Sequence, residues 1–486
     1  MSQFQFGSQG LSGPAKLKAV TALVEKLTTD LTSVNLSSKE RDSALEELKV
    51  FGRDPRYADP IFTKEGIETL TKHAFDSTSK TTSQNALRVI CNAMLLKPEV
   101  RKILVDLGCE SKACQKLRSD NWDDEFLLSR IIFLTTYGTN VDLPNLIEQH
   151  QLADSITQNL ARHAARSSSS STKEKADAME GMALIETLKL VFNVTRFAGS
   201  HLDSFSPAIA HIVTLLVSLD IPERGPPLEG SFSPLINALM NLKLDTESAK
   251  ASIFPSHEAT ILIDRLIHLL DLCMNSYKDT ELEQLVTPLI CVLSSLHEHA
   301  PEDAKTHLRS KLLPTEEDRK TVLGKGDTLP SRLLRNWTNP MAPEFRTALS
   351  HLYFDMSDKD AGKFIDNVGY GFASGFLFQN NIPIPEGSSS SASGEASSGK
   401  MRDVNPITGQ FRDAEKAPDL PEMTDEEKER EAERLFVLFE RLKKNGLISV
   451  ENPVAQAMRE GRFEELPDDY EEDSDDDEGK GKQKEK

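Results

Sequence analysis

The sequence predicts an all-α chain built by stacking helical units, and three observations lead there. Apolar residues recur at i, i+3, i+4 and i+7 along the chain, whereas period-2 alternation is almost absent. Proline stands as punctuation between these stretches, where it ends helices without breaking their interiors. The apolar content, 38% with only 6% aromatic, supplies a core of Leu, Ile and Val rather than of large rings. A chain of 486 residues is long enough for about three average domains or for one elongated array.

The elements follow in order. FTKEGIETLTKHAF (62–75) carries the first clear helical stripe. QNALRVICNAMLLKPEVRKILVDLGC (84–109) reads as a helix, a break marked by Pro98 and a second helix. Its stripe is Leu87, Ile90, Cys91 and Met94, with Arg88 and Asn92 four apart on the other side. Asn is a poor residue for mid-helix because its amide competes for backbone hydrogen bonds, so its placement there asks for a reason. EFLLSRIIFLTTY (125–137) is a separating helix. ETLKLVFNVTRFAG then repeats the pattern, with Leu188, Val191, Phe192 and Thr195 inward and Lys189, Asn193 and Arg196 in the polar places. SPLINALMNLKL buries Ile236, Leu239 and Met240 and leaves Asn237 and Asn241 polar. Two Leu-rich helices (259–274 and 282–296) follow. EFRTALSHLYFDM closes the series with Phe345, Ala348, Leu349 and Leu352 inward and Arg346 and Ser350 outward.

Diverged helical units recurring every roughly 40 to 50 residues predict an armadillo- or HEAT-like solenoid, here over residues 1–382. One unit cannot bury its stripe alone, so neighbours must stack. NALRVICNAMLL followed by PEVRKILVDLGC resembles an armadillo repeat, whose third helix lines a concave groove and often carries Asn. That resemblance implies that Arg88, Asn92, Lys189, Asn193, Arg196, Asn237, Asn241 and Arg346 line one concave face. There an Asn amide could donate to and accept from a docked peptide backbone. The alternative is that these Asn side chains bridge adjacent repeats.

Beyond the array, residues 383–421 are rich in Pro, Ser, Gly and Ala and read as a flexible linker spanning roughly 35 Å root-mean-square. A capping box, TDEE at 424–427, opens a helix with Leu435, Leu438, Phe439 and Leu442 as its apolar stripe and Gly446 as its terminator. A shorter segment begins at Asn452-Pro453. This module, 422–466, is too small for a core of its own and must dock on the solenoid or on a partner.

The net charge is −20, but EELPDDYEEDSDDDE (464–478) alone holds eleven acids and no base. The tail 467–486 is therefore expected to be disordered and acidic. Within it, Ser474 precedes Asp475, Asp476, Asp477 and Glu478, a context suited to an acidophilic kinase. The rest of the chain is mildly acidic and has no basic stripe dense enough to displace counterions, which argues against nucleic-acid binding.

No catalytic constellation is visible. GxxxxGK[ST] is missing, and Gly369-Tyr370-Gly371 with Gly375 lacks a preceding strand and reads as a helix-joining turn. His297, His299 and His307 do not form HExxH and read as surface histidines, so no metal or cofactor is expected. Five cysteines without a CxxC pair fit reduced thiols in the cytoplasm. The N-terminus shows no secretory pattern, and the strongly apolar IVTLLVSL (212–219) is far too short to span a bilayer.

A wider resemblance covers about residues 80–450. RSKLLPTEEDRK, LPSRLLRNWTNP and DKDAGKFIDNVGYGFASGFL resemble the later repeats of the synembryn (resistance to inhibitors of cholinesterase) family. VNPITGQF and PEMTDEEKEREAERLFVLFERLKKNGLI resemble that family's C-terminal module in the same order. The resemblance implies a monomeric, non-enzymatic exchange factor and folding chaperone for G-protein α subunits, drawn to the cell cortex through its partner. It further implies that the groove captures the C-terminal helix of the α subunit while the C-terminal module grips the nucleotide-binding domain. The rival reading is a passive armadillo adaptor for linear peptides. Such adaptors commonly line the groove with Trp as well as Asn, and this chain has only Trp122 and Trp337. One departure stands out. The joint EGSSSSASGEASSGK is almost uncharged where animal members carry an acidic phosphoacceptor segment.

Overall fold

The computed structural model describes residues 11–168, 177–222, 225–383, 404–405 and 407–415, with single residues at 424, 430 and 434. It is all-helical and has the architecture of an armadillo/HEAT-like solenoid. Fourteen of its described helices form two rows. In the first row Ser38–Phe51, Lys80–Leu96, Trp122–Thr135, Ala178–Phe197, Phe232–Met240, Thr287–His299 and Pro343–Met356 pack each on the next. The second row runs alongside through Gly13–Ser33, Lys64–Phe75, Cys109–Lys116, Leu152–Ser168, Ala208–Ser218, Ile261–Ser276 and Glu302–Leu312.

Local chemistry sets the helix ends. Ser37 accepts from the Glu40 amide while Glu40 accepts from the Ser37 amide at 2.9 Å, a complete capping box. Asn121 and Asp360 cap their helices by accepting from Asp124 and Lys363 amides. Pro98 divides Lys80–Leu96 from Glu99–Asp106, where the sequence placed the break.

A helix in the first row is covered by its row neighbours as well as by the second row, so its buried stripe is wider than the sequence pattern alone suggests. Leu87, Ile90, Cys91 and Met94 are buried as expected, and Ala86, Val89 and Ala93 join them. Asn193 and Ser350, expected on the polar side, are buried too, at 4% and 5% exposure. Conversely Met240 lies exposed near the end of its helix, and Phe192 and Ala348 are only half-buried. Trp122–Thr135, read as a separator, is itself a first-row member between two Asn-bearing helices.

At the end of the array Trp337 packs edge-on against Tyr353 and Phe372 and tilted against Phe364. Residues 404–405 and 407–415 lie against this same end. Within the stretch expected as a linker they form backbone pairings with the loop after Asp318 and with the start of the Tyr370–Gln379 helix. None of the described helices is long and apolar enough to cross a membrane.

Candidate partner-binding face

Six of the eight polar residues singled out from sequence line three clefts along the first-row helices. The first is lined by Lys49, Arg53, Arg88, Asn92, Phe126 and Arg130. It gathers four cations, two of which are tied to acids at its rim. Arg88 Nη2 meets Asp123 Oδ1 at 2.5 Å and Nη1 meets Asn85 Oδ1 at 3.0 Å. Arg130 stacks over the Phe126 ring at 4.2 Å and forks onto Glu186, at 3.1 Å and 2.8 Å. Lys189 reaches the same carboxylate at 3.0 Å. Burial alone would raise the Glu186 carboxyl, but the hydrogen bonds from Arg130 and Lys189 outweigh it and hold it below the ordinary value. Beneath the cleft the Cys91 thiol is pushed up to about 12 by burial and is unreactive there.

The second cleft brings Lys189, Asn193 and Asn237 together with Phe133, Tyr137, Leu188 and Phe192. At about 290 Å³ it falls just under the range of small-molecule sites. Asn193 is already engaged: its amide donates to Thr136 Oγ1 at 2.8 Å, and Tyr137 Oη donates to its carbonyl at 3.4 Å. Asn241 likewise donates to the Phe192 carbonyl at 3.0 Å, joining adjacent first-row helices. Asn92 and Asn237 make no side-chain hydrogen bond among the described residues. Arg196 is exposed outside both clefts, 5.9 Å from the Phe197 ring centroid. Arg346 lines a third cleft at the end of the array, with Trp337, His351 and Asn380.

Sequence reading missed Lys49, Arg53, Arg130 and Tyr137. Arg130 had a signal: it is a lone cation in an otherwise apolar stretch, as Arg88 is in its own. His297, expected at the surface, is instead buried at 4% exposure with Nε2 unpartnered. Burial, helped by Arg309 and Lys305, lowers its imidazole to about 4, so it sits neutral in the core. His307 does lie at the surface, against Asp264 at 2.7 Å. Leu435, Leu438, Phe439, Leu442 and Ser474 lie outside the described residues.

Comparison with known proteins adds the family. A family model described as "Guanine nucleotide exchange factor synembryn" matches residues 44–462. The chain is 27% identical over 360 residues to a synembryn-like chaperone of Schizosaccharomyces pombe, covering 71% of this chain and 66% of that one. It is 24% identical over 454 residues to the chaperone Ric-8A of Macaca fascicularis, covering 87% of this chain and 84% of that one. Among solved structures, an engineered protein aligns with 57% of this chain and 97% of its own at 17% identity and a TM-score of 0.40. With a match that runs from the second helix of the array through the region of the expected C-terminal module, the chain belongs to the synembryn family of guanine nucleotide exchange factors.

Proposed function

We propose that this protein is a guanine-nucleotide exchange factor and folding chaperone for heterotrimeric G-protein α subunits. The observation that carries the reading is the family match over 44–462, which takes in both the helical array and the segment expected to form the C-terminal module. The names of the relatives, synembryn-like chaperone and chaperone Ric-8A, support the chaperone half. The cationic first cleft and the aromatic-lined second cleft support a first-row face that receives a helix, with Arg88 and Asn92 in one cleft and Lys189 and Asn237 in the next.

Exchange of this kind requires no bond-making residue. A binder that prefers the nucleotide-free α subunit shifts the population toward it and so releases GDP, and the preference sets the size of the effect. In this reading the array captures the C-terminal helix of the α subunit, and Leu435, Leu438, Phe439 and Leu442 make a second contact on the opened nucleotide-binding domain. The same preference gives the chaperone activity, because a nascent α subunit is held before nucleotide arrives.

Mixing the protein with GDP-loaded α subunit and following nucleotide release tests the proposal. Faster release in proportion to added protein is expected. Tight binding of the partner's C-terminal peptide with no acceleration would make the protein an adaptor instead.

A further inference from the structure

We infer that residues 404–405 and 407–415 form a docked strap, registered on the end of the array by Arg319 and Gly409, that fixes the point from which the C-terminal module departs. This deepens the proposed function and rests on it for the consequence, though not for the contact itself.

The strap is held by its backbone. Phe411 N donates to Arg319 O at 2.8 Å, Leu323 N to Thr408 O at 3.3 Å, and Gly371 N to Ile407 O at 3.1 Å. Internally, Asn405 N donates to Gln410 O at 2.7 Å and Gly409 N to Asn405 O at 2.9 Å, closing a tight turn. Phe411 and Gln410 are buried, and Gln410 Nε2 donates to the Lys320 carbonyl at 3.1 Å. The partners are about 90 residues apart in sequence, so this is tertiary docking rather than local turn geometry.

Arg319 is the clamp. Its guanidinium donates to Gly409 O at 3.0 Å and to the Asp366 and Asn367 carbonyls at 2.7 and 3.0 Å. The last two lie at the C-terminal end of the Ala361–Val368 helix, where the dipole favours a cation. One side chain thus ties strap to helix. The receiving loop is itself fixed by Asp318, which is buried and accepts from Thr315 N and Oγ1, Thr328 Oγ1 and Ser331 Oγ. Gly409, at φ +68°, lies so close to Leu323 that a Cβ there would strike Leu323 Cδ1. Across from it Gly369, at φ +84°, has room for no Cβ without crowding Gly409 N at 3.2 Å.

The consequence is one of reach. From Glu415 to the expected capping box at Thr424 the chain has about 9 residues and can span at most ~30 Å. If the strap were not docked, the leash would start at Pro383 and run about 41 residues, up to ~140 Å. Once a leash is long enough to reach, effective concentration falls roughly as the −3/2 power of its length, so for a partner within reach of the short leash release of the strap lowers the module's effective concentration by up to roughly tenfold. Arg319 is in this sense a positioning residue for exchange, acting without touching the α subunit.

A cut chain tests this. A protease site placed between residues 384 and 403 of the full chain allows the backbone to be severed after purification. With the strap docked, the fragment beginning near 404 should stay with the array on size-exclusion chromatography, and GDP release should remain within about twofold of the uncut protein. Gly409→Val or Arg319→Ala should lose the fragment on cutting. Uncut, either variant should release GDP up to roughly tenfold more slowly while binding the C-terminal peptide of the α subunit unchanged. Thermal melts of the uncut variants confirm that the array is folded, and two variants on opposite sides of the contact guard against a local defect in either. Departure of the fragment from the cut parent protein overturns the strap. Co-elution judges the contact even if the chain shows no exchange activity, so failure of the two readings can be told apart.

Discussion

The Asn193 amide donates to the Thr136 hydroxyl at 2.8 Å, across the boundary between two neighbouring first-row helices. Asn241 makes the same kind of bridge to the Phe192 carbonyl. Both therefore stitch repeats together, whereas Asn92 stands open in the cationic cleft. A helical Asn at this register has two uses, and its hydrogen bonding to the neighbouring helix separates them.

The two uses predict different mutant behaviour. Asn193→Ala removes a buried side chain that donates to Thr136 and accepts from Tyr137, which should cost about 1–2 kcal/mol of stability. Asn92→Ala should change stability by less than about 0.5 kcal/mol, as surface substitutions do, and show its effect in partner affinity instead. Urea unfolding of both variants checks this. Equal destabilisation would mean that Asn92 is structural too.

Arg88 is already paired with Asp123, so an incoming carboxylate must share or displace that partner. If the face binds a carboxylate-ended helix, Arg88→Ala should lose a charge-assisted bond of about 1.5–3 kcal/mol, roughly a ten- to hundredfold rise in Kd. Asp123→Asn should do the reverse and tighten binding, because it frees the guanidinium. Calorimetric titration with the C-terminal peptide of the α subunit reads both, and an amidated peptide should erase the difference between them. Unchanged affinity in Arg88→Ala removes Arg88 from the binding face.

The sequence made the repeat legible because helical periodicity and Pro punctuation are local, and each unit states them again. It could not make the row order legible. That Trp122–Thr135 stands between the two Asn-bearing helices depends on which helices pack, and this places Arg130 beside Arg88. The burial of Asn193 was hidden for the same reason: one helix's polar side is covered by the next helix. VNPITGQF read as part of a linker and gave no sign of its partner, which lies about 90 residues earlier at Arg319. His297 read as a surface residue because it falls just before a helix end, where periodicity says little about cover.

The buried His297 makes stability depend on pH. In the folded chain its imidazole titrates near 4, against 6.5 when free. Between those values the unfolded chain binds a proton that the folded chain refuses, so stability rises with pH through that window. The contribution is fully present above about pH 6.5 and is lost as pH falls toward 4, amounting to about 3 kcal/mol. Arg309 and Lys305 strengthen the effect and Asp355 and Asp358 oppose it. Unfolding midpoints measured from pH 7 to 4.5 should therefore fall less steeply in His297→Leu than in the parent. Parallel slopes would mean that water reaches the ring.

A second contact on the opened partner separates an exchange factor from an adaptor. A face that only holds a helix tethers the α subunit without favouring its nucleotide-free state. A contact that forms only on the opened partner supplies the preference, and a hundredfold shift needs about 2.7 kcal/mol. Leu435, Leu438, Phe439 and Leu442 can supply that if they bury on the partner, since each large apolar side chain contributes about 1.5–3 kcal/mol. Removing residues 422–466 should then leave peptide binding nearly intact while slowing GDP release by one to two orders of magnitude. Replacing the four apolar residues by Ser in the full chain should give the same split, which excludes an effect of chain length alone. If the truncated protein releases GDP as fast as the parent, the repeats perform the exchange unaided. The two-contact mechanism would then be wrong.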